Sequence, residues 1–374
     1  MGMSKKDLRE LIVASLEEQG FRVLGRSILP PPGMDKDGVR NLHSVAVQHR
    51  RATAKSALAP HEDRLCQRVA SGSELVPARV SPQLREVRTG TDDELLFRYA
   101  SLHWSIPVSS GYGRRMRFLI VDDQNDKLIG ILGLGDPVFC LSGRDEWIGW
   151  SAEARKKRLR CVLDAFVLGA VPPYSFLLCG KLIAMLATSN EVREAFRSKY
   201  VGTQSLISGE RSTGELALIT TTSALGKSSL YNRVRYNGYP LMHRAGFTRG
   251  SGEFHFSNGV YGAISRYAEE HCVASAKKTS WGTGFRNRRE VVKKCLADIG
   301  LSTEWLYHGV QREIFVAPLA HNARDFLQCK QDGLLPLDLP PSDLAEAFRD
   351  RWLVPRSKRD ERYVSWDPQD WRLW

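Results

Sequence analysis

The stretch that decides the fold runs from Arg117 to Phe256 and opens RFLIVDDQNDKLIGILGLG (117–135). Two apolar runs flank a polar Asp/Asn-rich connection, which is the pattern of a β-hairpin. RCVLDAFVLGAVP (160–172) is a third β-like run, ending at Pro172-Pro173. From Cys179 to Tyr200 the spacing turns helical. Leu182, Ile183 and Leu186 share a face, and Val192, Ala195 and Phe196 continue after a Thr-Ser-Asn break. ELALITTTS (215–223) is rich in β-branched residues and reads as a strand. A short helix is expected over 228–236, capped by Ser228 or Ser229. Strands over 239–248 and 253–257 then surround a turn at Arg249-Gly250-Ser251-Gly252. The expected class is α/β. A mixed-sheet core covers 105–258, a helical N-terminal region 1–104, and a basic α/β C-terminal extension 259–374.

The flanks are read by the same periodicities. An amphipathic helix is expected over 4–19, with Leu8, Leu11, Ile12 and Leu16 on one stripe. Further helices are expected over 35–57, 61–70 and 92–104. Beyond the core come helices over 261–272, 290–299, 322–327 and 344–352, and a strand over 310–316. Trp366, Trp371 and Trp374 crowd the tail and are expected to dock onto the body.

The 374 residues carry a net charge of +12, with a sequence pI near 9.4. Residues 181–300 hold 18 Lys and Arg against 9 Asp and Glu, whereas 301–374 hold 10 against 12. A concentrated basic field attracts polyanions, so DNA or RNA is the expected partner. Seven cysteines without a CxxC pair point to buried thiols in a reducing compartment, not to zinc. No eighteen-residue apolar run and no apolar leader are present, which points to a cytoplasmic protein with no membrane partner.

Candidate binding residues follow the charge. SSGYGRRMR (109–117) pairs two glycines with Arg114, Arg115 and Arg117, the makings of an anion clamp or of a plain basic turn. KKTSWGTGFRNRR (277–289) interleaves Trp281 and Phe285 with Lys277, Lys278, Arg286, Arg288 and Arg289. Aromatics among cations suit base stacking with phosphate neutralisation. The hydroxyl-rich turn 220–233 carries Lys227 at its tip and Arg233 at its end. Its Gly226-Lys227-Ser228 is not a P-loop, because Thr221 stands where the first glycine belongs.

Candidate catalytic residues are carboxylates beside the strands, Asp122, Asp136 and Asp164. Glu253 and His255 join them, expected to share a strand face. Two or three converging carboxylates would hold Mg²⁺ for a metal-dependent nuclease. Asp122 also fits a hairpin turn. Tyr231 is a candidate nucleophile on DNA.

The order of elements in 117–256 resembles the GNAT acyltransferase fold. In that family a Gln/Arg-x-x-Gly-x-Gly/Ala turn offers backbone amides to the coenzyme A pyrophosphate. The matching window here is Ser175-Phe176-Leu177-Leu178-Cys179-Gly180, which keeps only Gly180. The expectation is a GNAT-like core that has lost its cofactor, with an acyltransferase as an alternative, for which the resemblance implies Tyr231 or Tyr236 as the proton donor to the leaving thiolate. A second resemblance rests on GYGRRMRF (111–118), GILGLGDPVF (130–139), WIGW (147–150), DAFVLGAVPPY (164–174), ITTTSALG (219–226), SLYNR (229–233), GFT (246–248), RREVV (288–292) and APLAHNA (317–323). These blocks are similar to the DruA-like family, named after a component of the Druantia anti-phage defence system, with relatives in mobile elements. The resemblance implies nucleic-acid business in bacteria beside other defence proteins, such as a helicase. A nuclease or DNA strand transferase is the rival reading.

Overall fold

The computed structural model describes residues 3–109, 113–204, 209, 211–257, 259–275, 284–285 and 287–374. The chain forms two units. One comprises Met1–His49, Ala224–Gly226 and Phe247–Arg312, and the other Arg50–Ser223, Lys227–Gly246 and Glu313–Trp374. Each gathers separated stretches of chain, whereas the sequence reading draws sequential segments.

In the first unit the helix Lys5–Glu18 starts at Ser4, whose hydroxyl accepts from the Asp7 amide at 3.2 Å. It buries Leu8, Ile12 and Leu16, one residue per turn along a single stripe. β1 (Arg22–Leu24) and β2 (Ser27–Leu29) form a hairpin that turns at Gly25. The helices Tyr261–His271 and Arg288–Asp298 pack together, and Ile264, Tyr267, Val292 and Leu296 are among the residues they bury. The strand expected over 253–257 is a 3-10 turn, Phe254–Phe256. His255 and Phe256 are adjacent and both buried, which the alternation of a half-buried strand does not allow. Glu253 and His255 therefore do not share a strand face.

The second unit is built on β3 (Pro82–Glu86), β4 (Arg115–Asp122), β5 (Lys127–Gly135), β6 (Val162–Ala170) and β7 (Leu218–Thr222). β8 (Arg235–Tyr236) and β9 (Tyr239–Pro240) pair apart from the rest. β10 (His243–Phe247) and β11 (Glu313–Pro318) complete a seven-stranded sheet in the order β10-β11-β7-β6-β5-β4-β3. β6 and β7 run parallel over Val162–Asp164 and Leu218–Thr220, while β3–β4, β4–β5, β5–β6 and β7–β11 are antiparallel. The architecture is thus α/β on a mixed sheet.

Both faces of the sheet are covered, which is why its strands read as unbroken apolar runs. On one face Phe118, Ile120, Leu132 and Leu134 meet the helices Cys179–Leu186 and Pro341–Phe348. On the other Leu119, Val121 and Ile131 meet the helix Asp92–Ser101 and the tryptophan tail. Gly133 lies under the Phe166 ring, where a Cβ would come within 2.4 Å of it. The tail docks as expected. Trp371 is buried and stacks on His103 at 4.0 Å, and the Glu62 carboxylate accepts from Tyr99 Oη and from the Leu373 and Trp374 amides. Among the described residues no helix is long and apolar enough to cross a membrane.

Candidate nucleic-acid interface

The expected helix over 228–236 is one 3-10 turn, Tyr231–Arg233, followed by the β8–β9 hairpin. The Ser228 hydroxyl accepts from the Leu230 and Tyr231 amides at 3.1 and 3.2 Å, so the cap is real but caps a single turn. Asn237 and Gly238, at φ 47° and 81°, then reverse the chain as a two-residue hairpin turn. Val234, Leu241 and Met242 are buried, and Leu230, Tyr231 and Tyr236 pack against the core of the unit. What remains outside is polar and cationic: Lys227, Arg233, Arg235 and Arg244 are exposed, and Tyr239 is 76% exposed. Arg235 donates to the Gly238 carbonyl at 3.0 Å, and Arg244 pairs with Glu313 at 2.9 Å. Lys227, Arg233 and Arg235 have no carboxylate partner among the described residues.

The arginines at and just before the start of β4 divide. Arg114 donates to Asp136 at 2.7 Å and to the Arg160 carbonyl at 2.6 Å, and lies near the rings of Phe196 and Tyr200. Arg117 pairs with Glu94 at 2.9 Å over Phe97. Arg115 is exposed. Of the second basic group, Arg288 is exposed, lies 3.8 Å from the Tyr261 ring and donates to Ser257; Arg289 and Phe285 are half-buried. All three belong to the first unit. Lys277, Lys278, Trp281 and Arg286 lie outside the described residues. One basic run escaped the sequence reading, Arg155-Lys156-Lys157-Arg158-Leu159-Arg160. Arg155 and Arg158 pair with Asp145 and Asp332, and Lys156 and Lys157 are exposed. Four consecutive cations were the available signal.

The candidate carboxylates are held separately. Asp122 is buried and accepts from the Ser81 amide at 2.9 Å and the Tyr174 hydroxyl at 2.8 Å, fastening the β4–β5 turn. Asp136 accepts from the Arg114 side chain and amide. Asp164 is half-buried beside Thr220, which donates at 2.8 Å; burial pushes its carboxyl up to about 6 against the pull of that bond and of Arg144. Among the described residues no three His, Cys, Asp or Glu side chains are grouped to hold a metal. Tyr231 packs on Phe315 at 5.1 Å, and burial pushes its phenol up to about 12. In the first unit His255 Nε2 lies 2.8 Å from the Trp305 carbonyl, and burial lowers its imidazole to about 4.

The family model described as "Druantia protein DruA" matches residues 33–329. The chain belongs to the DruA family. It is 40% identical over 367 residues to the Druantia protein DruA of Escherichia coli (strain UMEA 4076-1), covering 98% of this chain and 90% of that relative. No solved structure matches.

Proposed function

We propose that this DruA-family chain binds nucleic acid as a component of Druantia-type anti-phage defence, working beside the system's other proteins. The observation that carries the reading is the uncompensated charge of the arm over 227–239. Lys227, Arg233 and Arg235 are exposed on the same short arm as Tyr239, whose ring is exposed on a hairpin with its base packed into the core. Cations neutralise phosphates, and an exposed ring stacks on a base. The separate commitments of Asp122 and Asp136 favour binding over metal-dependent cleavage. The core is read as GNAT-like in topology. Its element order, and a parallel β6–β7 ladder only three residue pairs long, support that reading.

The test is anisotropy with labelled single- and double-stranded DNA and RNA across salt. If about 4 phosphates are neutralised, log K should fall with log salt at a slope of about −3 to −4. Replacing Lys227, Arg233 and Arg235 together by Ala should weaken binding and make that slope shallower by about 2 to 3. Binding that is absent, or flat with salt, refutes the reading.

A further inference from the structure

Val138 and Phe139 stand out from the fold at 48% and 58% exposure, beside the exposed Cys140, on the loop that leaves β5. An unheld loop would bury such side chains against the body. This one is held open. Arg144, with no exposed surface of its own, donates to the Val138 carbonyl at 2.9 Å and to the Phe139 carbonyl at 3.2 Å. Asp145 accepts from the Leu141 amide at 3.2 Å and pairs with Arg144 at 2.7 Å and Arg155 at 3.1 Å. Asp136, at the start of the loop, is fixed by Arg114. The helix Ser142–Ile148 that follows sits hard on β10, where a Cβ on Gly143 would come within 1.9 Å of the Ala245 carbonyl oxygen. Burying a guanidinium is costly. Here it fixes the backbone of two residues whose apolar side chains face solvent, and a patch held ready in this way serves a contact.

The neighbours of the ring indicate what it meets. The Arg155 guanidinium lies over the Phe139 ring, 4.7 Å from its centre. That contact sets the helix Ala152–Arg158 beside the loop. The next two residues, Lys156 and Lys157, are exposed and have no carboxylate partner among the described residues. An aromatic ring beside free lysines fits a polyanion that carries flat apolar groups. A protein partner fits less well, because lysine is depleted at protein interfaces. A duplex also fits less well, because its bases are stacked inside and offer only their edges. A single strand offers both its phosphates and the faces of its bases.

We propose that Phe139 is a platform on which an unpaired base of a nucleic-acid strand stacks, with Lys156 and Lys157 on the adjoining phosphates. The inference rests on the nucleic-acid reading above. It adds a second contact to the arm, elsewhere on the same unit, and makes the strand unpaired where it crosses this loop.

The experiment uses the full chain and one labelled sequence, offered as a single strand and as a duplex. Phe139→Ala should weaken single-strand binding about 5- to 150-fold and duplex binding less than about twofold. Its melting temperature should not move, because the ring is exposed. Phe139→Tyr should bind as the unsubstituted chain does. Lys156→Ala with Lys157→Ala should make the single-strand salt slope shallower by about 1.4. Bound single strand should slow maleimide modification of Cys140, followed by peptide mapping. That measurement uses the unsubstituted chain and decides the matter if Phe139→Ala does not fold. Unchanged single-strand affinity in Phe139→Ala, equal losses for single strand and duplex, or no protection of Cys140 overturns the inference and leaves nucleic-acid binding by the arm standing. Binding of no oligonucleotide by the unsubstituted chain overturns both. A dimer of the chain that Phe139→Ala dissolves makes the loop a protein contact and overturns the inference alone.

Discussion

Acidification should destabilise the first unit through three buried histidines. His43, His255 and His308 are 3%, 1% and 5% exposed. His43 and His308 flank Phe254 at 4.4 and 4.6 Å, and His255 lies 5.4 Å from His308. Arg312 sits 3.1 Å from His43 Nε2, and Arg289 is close to His255. Burial, reinforced by these cations, lowers His43 and His255 to about 4 and His308 to about 3. Because the folded values lie below 6.5, the unfolded chain takes up protons first as pH falls. Stability is therefore intact above about pH 6.5 and declines below it, down to about pH 4 for His43 and His255 and about pH 3 for His308. At pH 5.5 each imidazole costs about 1.4 kcal/mol, and the three together about 4 kcal/mol. That is a large share of a typical folding free energy of about 5–15 kcal/mol. Urea unfolding at pH 7.5 and 5.5 checks it, with His308→Phe as the comparison. His103 and His243 in the second unit shift in the same direction, so the difference between the two proteins carries the test. The variant should lose about 1.4 kcal/mol of the pH-dependent change. An unaltered pH dependence in His308→Phe would refute the reasoning.

Asp122→Ala removes the acceptor of the Ser81 amide and the Tyr174 hydroxyl, and should cost about 2–4 kcal/mol in thermal or urea melts. Full stability with lost nuclease activity would instead make Asp122 catalytic. Glu62→Ala strands Tyr99 Oη and the Leu373 and Trp374 amides, and should cost about 2–4 kcal/mol and expose the C-terminal tail to carboxypeptidase. Trp281→Ala should weaken single-strand binding by about 1–3 kcal/mol at unchanged melting temperature; a lowered melting temperature with intact affinity would make the residue structural. Acetyl-coenzyme A should give no heat on titration and no thermal protection, because Leu178 puts a β-carbon where the amide cradle requires glycine.

The sheet was legible because burial on both faces writes itself as apolar runs. The β4–β5 hairpin and the β6 strand lie within about two residues of their expected positions, and the Thr-Ser-Asn break separates two helices, Cys179–Leu186 and Asn190–Tyr200. β3 was not legible. Its sequence, Pro82-Gln83-Leu84-Arg85-Glu86, belongs to a half-buried edge strand with neither an apolar run nor clean alternation. The arm departs from the expected helix because Ser228 caps only a single turn, while Asn237-Gly238 is the stronger local signal and reverses the chain as a hairpin.

The site was harder for a reason that local pattern cannot remove. A sequence displays which residues carry charge, but not whether that charge is already compensated. Asp122 looks like a free carboxylate until Ser81 and Tyr174, 41 and 52 positions away, arrive as its donors. Arg114 looks like part of an anion clamp until Asp136 and the Arg160 carbonyl take its donors. Lys227, Arg233 and Arg235 show the converse: among the described residues none of them has a carboxylate partner. Function in this chain therefore turns less on which charged residues it has than on which ones folding leaves without a partner.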